Sequence, residues 1–329
     1  MATAANTTVQ GQLRPELGAS LQQFDVVAAL GGMVGLQILK PKSVPVQNGY
    51  IGLRTLEELM KDDVVTERAP GSEYGRSGQK FTNFSFATKE YGHEEVVDDR
   101  ESKLYQSYLE ADIAAAQRIQ GILMRRLEKE ICDLLTDTSS TFTGALTDAS
   151  SAVWTTDTTD IPQEVEEAML DFRANSGMLP NVMVVGYDRY RAMMRNVDIV
   201  DRLKYWGGND PNIGAMLANT DLMAKAVGID KIVVAGMVRN SAIEGQSRSL
   251  AQIWDGTKVG FYRVAMTDDI KEPCVGRTFV WTEDGANPDG SVVFESYRDE
   301  SRRGRVIRGR HESQAKVAYT SLGFVLTGC

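Results

Sequence analysis

Positive charge is in deficit in this sequence, and histidine is nearly missing. Lys and Arg total 36 against 45 Asp and Glu, for a formal net charge of -9. Avid sequence-independent DNA binding runs on phosphate neutralisation by Lys and Arg. The chain as a whole is therefore a poor candidate for avid, sequence-independent DNA binding, although it can sit near DNA. Two histidines (His93, His311) and three widely spaced cysteines (Cys132, Cys274, Cys329) form no CxxC or HExxH spacing, so no metal site is expected. The odd cysteine count argues against a disulfide framework and for a reduced compartment. The longest apolar run, Val26 to Leu39, is broken by Gly31, Gly32 and Gly35 and is too short to cross a bilayer. The polar start has no basic n-region, so a cytosolic product is expected. There is no GxxxxGK[ST] loop and no GxSxG elbow. Gly31-Gly32-Met33-Val34-Gly35 lacks both GxGxxG spacing and a following helix, and reads as a backbone bend. No cofactor is expected.

What is present is a folded composition, 42% hydrophobic and 25% charged. Met1 to about Gln23 is polar and aperiodic, which reads as a mobile arm. Phe24 to Leu39 is apolar, and Pro41 and Pro45 impose an extended path after it. Lys61 to Lys80 is polar and punctuated by glycine, too poor in apolar residues to bury a core. Phe81 to Tyr91 then alternates, with Thr82, Phe84, Phe86 and Thr88 on one face of an expected strand. Together these predict a long exposed hairpin or arm. Its aromatic side chains, Phe84 and Phe86, have little local core and are expected to be buried only between subunits.

The clearest helix follows. Tyr105, Leu109, Ile113, Ala116, Ile119, Leu123, Leu127, Ile131 and Leu134 step by three or four, a continuous stripe. Asp98, Asp99 and Glu101 stand where negative charge suits the helix dipole. The helix is expected over Asp99 to Leu135, roughly 55 Å at ~1.5 Å per residue. After a Thr/Ser-rich link the pattern becomes one of short alternating elements. A helix opens at Pro162 and closes at Gly177 and Pro180. Strands are expected at Val182 to Val185 and Lys231 to Ala235, with a helix capped by Asn219 or Thr220 between them. Ala251 to Trp254 and Lys258 to Ala265 read as a hairpin turned at Asp255-Gly256, and further strands follow to Leu326. The later half is α/β or α+β around at least one central sheet.

Candidate chemistry is sparse. His93 beside Glu94 and Glu95, and His311 beside Arg310 and Glu312, read as surface histidines among charges rather than as general bases. The acids Glu94, Glu95, Asp98, Asp99 and Glu101 lack calcium-loop spacing. The last thirty-four residues carry Arg298, Arg302, Arg303, Arg305, Arg308, Arg310 and Lys316 against three acids, a local +4. That segment fits a DNA-facing patch, a socket for an acidic partner, or a solvated strand edge whose charges block pairing. Separated acidic and basic segments beside a coreless arm suit a chain that touches copies of itself. The subunit-interface candidates are Arg68, Phe84, Phe86, Glu94, Glu95, Asp98, Asp99, Arg302, Arg303 and Arg305.

From about Val44 onward the sequence also resembles the major capsid proteins of tailed bacteriophages and prophages, which have the Hong Kong 97 fold. The matching stretches keep the family's order. Arg68-Ala69-Pro70-Gly71 and Thr88-Lys89-Glu90-Tyr91-Gly92 are followed by Val96-Val97-Asp98-Asp99. Trp154, Thr156-Asp157, Ser176-Gly177, Leu179-Pro180-Asn181 and Val182 to Gly186 come next. Asp201-Arg202-Leu203-Lys204-Tyr205, Val233-Val234-Ala235-Gly236, Ile253-Trp254-Asp255-Gly256, Gly276 to Trp281 and Ser321-Leu322-Gly323 complete the series.

The resemblance implies an α+β capsid fold with an N-terminal arm (1–45), an extended loop (46–97) and a peripheral domain with a spine helix (98–150). An axial domain (151–295) and peripheral C-terminal strands (296–329) complete it. It implies a non-enzymatic structural protein whose many copies assemble, as pentamers and hexamers, into an icosahedral virion shell in the host cytoplasm. The implied partners are packaged double-stranded DNA, a portal, a scaffolding protein and a decoration protein. Some family members weld subunits by an isopeptide bond between a loop Lys and an Asn of the neighbouring peripheral domain. Lys80 and Lys89 lie on the presumed loop, but segments 98–150 and 296–329 contain no Asn, so a shell without covalent cross-links is expected. An encapsulin-like nanocompartment shares the implied fold, and a soluble α/β enzyme is the reading from another class.

Overall fold

The computed structural model describes residues 12–13, 33–62, 67–68, 70–74, 78, 80–104, 108–155, 159–207, 219–243, 245–283 and 292–329. The aperiodic start, Met1 to about Gln23, lies outside them except for residues 12–13, as do Tyr105 and Thr156-Asp157.

Two sheets organise the molecule. The first runs β1 (Gln12–Leu13), β13 (Val293–Asp299), β14 (Gly304–Val317), β12 (Gly276–Trp281) and β2 (Pro41–Val44), with β5 (Lys89–Asp98) also paired to β14. The second runs β6 (Thr147–Ala149), β15 (Gly323–Thr327), β11 (Lys258–Tyr262), β7 (Val182–Gly186) and β8 (Lys231–Ala235). Two antiparallel pairs stand apart, β3 (Asn48–Arg54) with β4 (Phe81–Ala87), and β9 (Val238–Asn240) with β10 (Leu250–Gln252).

The long helix, described from Tyr108–Leu135, connects the sheets. Its 28 residues rise about 42 Å. Ala116, Ile119 and Leu123 pack with Val97, Phe294 and Ile307 of the first sheet. One half-length further along, Leu127, Ile131 and Leu135 join Val182, Val184 and Tyr262 of the second. A Cβ on Gly309 would collide with Ile119, so glycine is what lets the helix lie this close to β14. The expected stripe is thus the buried face from Ala116 onward. The expected N-terminal start is helical over Asp99–Leu104, and residues 105–107 lie outside the described residues.

The second sheet is closed on one side by the helix Ile161–Ser176. Asp160 caps its start by accepting from Gln163 N at 3.1 Å, and Gly177 ends it in the left-handed region at φ 68°. Phe172, Trp154, Phe261 and Phe324 fill the space beneath, each 1% exposed or less. Burial of each such ring stabilises by about 1.5–3 kcal/mol.

Several expectations change. Ala251 to Trp254 does not form a hairpin with Lys258 to Ala265. β10 pairs with β9, and β11 is inserted between β15 and β7, because Val259, Phe261 and Tyr262 are wholly buried there. Phe81 to Tyr91 is interrupted at Thr88, whose hydroxyl turns inward to Gln47 and Glu312. A four-residue helix, Gly35–Ile38, forms at the end of the glycine-rich segment, where no following helix was expected, while Gly31 and Gly32 lie outside the described residues. Gly276–Trp281 shares its sheet with β14, and Gly323–Thr327 shares its sheet with β11.

Candidate assembly surface

The acidic and basic segments, far apart in sequence, are cross-strand neighbours. β5 runs antiparallel to β14, placing Glu94 opposite Arg308 and Asp98 opposite Gly304. Arg308 Nε reaches Glu94 Oε1 at 2.5 Å, and the Tyr297 hydroxyl donates to Glu94 Oε2 at 3.1 Å. Arg298 meets Asp99 at 2.8 Å, Arg305 meets Asp112 at 2.7 Å, Arg310 meets Glu295 at 2.9 Å and Arg118 meets Glu95 at 2.9 Å. The hydrogen bond from Arg298 holds the Asp99 carboxyl below the usual carboxylate range. Much of the expected interface charge is therefore used inside one subunit. The solvated-edge reading of the basic segment is also corrected, because β14 is a central strand.

What stays outward is the β13–β14 turn. Arg302 and Arg303 are exposed there, and Arg302 lies only within 3.8 Å of Asp299. Asp299 closes the turn by accepting from Ser301 N at 2.9 Å and Ser301 Oγ at 2.6 Å. Arg303 takes φ 51°, a left-handed conformation costing roughly 1–2 kcal/mol for a residue with a Cβ. Asp98 is exposed but its carboxylate accepts from Arg100 N at 2.6 Å, a local helix-start contact.

The hairpin residues separate in the same way. Phe86 is 6% exposed and stacks on Phe279 at 4.9 Å between centroids, while Phe84 tilts against the same ring at 5.9 Å. Burial of Phe86 only between subunits is thus corrected: its own chain supplies the partner, from a strand nearly two hundred positions away. The outward aromatics are Tyr50, 81% exposed, and Phe81, 54% exposed. For Phe81 the signal in the sequence was the opposite parity of that alternation; Tyr50 lies on β3, opposite Ser85, and joins the same outward face only through strand pairing. Arg68 is tied within its loop, donating to Ser72 O at 2.7 Å and Tyr74 Oη at 3.1 Å.

Buried carboxylates are the polar features that sequence reading missed. Glu128, 1% exposed, accepts from Val34 N at 3.0 Å, Gly35 N at 2.8 Å and Trp254 Nε1 at 2.6 Å. Burial raises its pKa against the pull of those donors. Glu164 accepts from Ser150 Oγ and Trp154 Nε1, both at 2.6 Å, and from the amide and hydroxyl of Ser151. Burial pushes it up, but the donors together outweigh burial and leave it lowered. Glu128 stitches distant segments together, whereas Glu164 ties down the loop that precedes its own helix.

No catalytic constellation emerges among the described residues. His311 is 2% exposed, not at the surface as expected, and neither ring nitrogen has a hydrogen-bond partner among the described residues. Burial pushes the thiols of Cys132 and Cys329 up to about 12, which makes them poor nucleophiles. No group of three His, Cys, Asp or Glu able to hold a metal occurs among the described residues. No helix there is long and apolar enough to cross a membrane.

As a backbone, this arrangement is the fold of phage capsid subunits. The chain matches a phage-related protein from Bordetella bronchiseptica RB50 at TM-score 0.69 and 16% identity, over 97% of this chain and 98% of that one. A virus-like particle protein from Pyrococcus furiosus matches at TM-score 0.57 and 13% identity, over 95% and 98% respectively. The capsid of cyanophage P-SCSP1u matches at TM-score 0.53 and 10% identity, over 100% and 93%. At such identities the likeness is one of fold. No protein-family model and no curated protein sequence matches the chain.

Proposed function

We propose that the chain is a major capsid protein of the tailed-phage type, a non-enzymatic subunit that self-assembles into a virion shell. The observation that carries this is a near full-length match in fold, 97% of this chain and 98% of the Bordetella protein, extended by capsids of lower identity. In this reading the β3–β4 pair with the loop between its strands is the extended loop. The long helix with the first sheet is the spine and peripheral domain. The second sheet and its helices form the axial domain; on this reading Gly276–Trp281, which shares a sheet with β14, goes with the peripheral part, and Gly323–Thr327, which shares a sheet with β11, goes with the axial part. Pentamers and hexamers close an icosahedral shell around double-stranded DNA, with a portal, a scaffold and a decoration protein as partners, assembled in the host cytoplasm. Of the expected interface residues, the exposed Arg302 and Arg303 carry the least pairing within the subunit, and the exposed aromatics Tyr50 and Phe81 join them as interface residues.

The test is light scattering and negative-stain microscopy of the purified chain, with and without a co-expressed scaffold. Closed particles are expected. A stable monomer of 36.2 kDa under all conditions overturns the reading. The virus-like particle relative supports a second reading, a shell without a genome of the encapsulin-like kind. Nuclease-resistant DNA inside particles recovered from the native host separates the two.

A further inference from the structure

The long helix and the β9–β10 pair enclose an open cleft of about 520 Å³, lined by Arg125, Arg126, Lys129, Glu130, Asp133 and Arg239. Four cations and two carboxylates leave it net positive on a chain of net charge -9. The pairing inside it is uneven. Arg126 meets Glu130 at 2.9 Å, and Lys129 meets Asp133. Arg125 and Arg239 have no hydrogen-bond or ion-pair partner among the described residues, although both are half-buried. Arg126 also keeps one guanidinium nitrogen, Nη1, buried without a hydrogen-bond partner, with the group stacked over the Tyr91 ring at 3.0 Å.

We propose that this cleft binds the phosphodiester backbone of nucleic acid, an inference that rests on the shell reading. Guanidinium groups bind phosphate as planar forks, and here two such groups converge from separate elements with no internal counter-charge. The two existing pairs are i,i+4 contacts on a half-exposed helix face, weak enough to yield to a stronger anion. The chain's own N-terminal segment is a poor occupant, since Glu16 and Asp25 are the only acids in residues 1–32. A localised cleft on an otherwise acidic chain gives sequence-independent contact at a few points without wholesale adhesion, which suits a container that must both hold and release DNA.

The experiment titrates the full-length chain with a labelled 30-bp duplex from 50 to 200 mM salt, and in parallel with poly-glutamate. The wild type is expected to bind duplex with a negative salt slope. Arg125→Ala with Arg239→Ala should lose at least tenfold in affinity and flatten that slope by about 1.8, at ~0.9 per phosphate contact. Arg125→Lys with Arg239→Lys should restore most of the slope. Unchanged binding by the alanine pair, absence of duplex binding at 50 mM salt, or preference for poly-glutamate overturns the proposal, the last pointing to an acidic protein partner. Particle formation is scored separately. Particles without duplex binding remove the cleft alone, whereas duplex binding without particles removes the shell reading.

Discussion

His311 shows how one residue's surroundings reverse its expected behaviour. Flanked by Arg310 and Glu312 in sequence, it looks solvated. In the fold it faces inward on β14, edge-on to Tyr91 at 5.8 Å. Burial, and then the charge of Arg126, lower its pKa from 6.5 to about 4. The unfolded chain therefore takes up a proton near 6.5 while the folded chain resists it until about 4. Stability from this residue is complete above the unfolded value and is lost as pH falls through that window, by about 3 kcal/mol in all. From pH 7.5 to 4 the urea midpoint of the wild type should fall relative to that of His311→Leu, which lacks the titrating imidazole. Parallel curves would show that another group governs the acid limb. Glu128 offers a second residue-scale expectation. Glu128→Ala leaves two backbone N–H groups and an indole N–H buried without partners, each costing about 1–3 kcal/mol. Equilibrium unfolding should register a loss of at least ~2 kcal/mol, and Glu128→Gln should recover part of it.

Among the elements, the β3–β4 hairpin has two faces with different duties. Val44, Phe86 and Phe279 form a small cluster with Ile51 and Phe84 at its edge, which anchors the hairpin to the first sheet. Phe86→Ala should cost about 3 kcal/mol and free the hairpin locally, seen as faster hydrogen exchange at Asn48–Arg54 and Phe81–Ala87. The outward face carries Tyr50 and Phe81. Replacing both with Ser should leave subunit stability within about 0.5 kcal/mol while lowering particle yield. Normal yield would place the contact elsewhere. Parity along the strands was legible in the sequence as alternation. Which parity is internal was not, because Phe279 lies far along the chain.

At the scale of the molecule, the ion pairs between β5, the long helix and β14 stabilise one subunit and leave the β13–β14 turn as the cationic projection. Assembly should therefore weaken with salt mainly through Arg302 and Arg303, as the Debye length falls from about 10 Å at 0.1 M to about 3 Å at 1 M. Particle yield against salt for Arg302→Glu with Arg303→Glu should be shifted from wild type, and an identical profile would exclude the turn from the interface. Covalent welding is not expected either. The strands that the topology adds to the first sheet, Pro41–Val44 and Gly276–Trp281, bring no Asn to the segments that already lacked one. A boiled, reduced gel of particles should show a single band near 36.2 kDa, and a covalent ladder would contradict this.

The sequence by itself determined the local elements and their order. The helical stripe from Ala116 to Leu134, the capped helix opening at Pro162 and the buried strand at Val182 are written in period and punctuation, which depend on neighbours within a few residues. Tertiary structure alone decided which strands share a sheet, which acid meets which arginine and which aromatic face is inward. Pairing between residues such as Glu94 and Arg308, Val34 and Glu128, or Phe86 and Phe279 is set by long-range packing, where many partners of like chemistry compete. The chain carries ten other arginines and lysines in its last eighty residues alone that could answer Glu94 by charge, and only the antiparallel register of β5 on β14 selects Arg308.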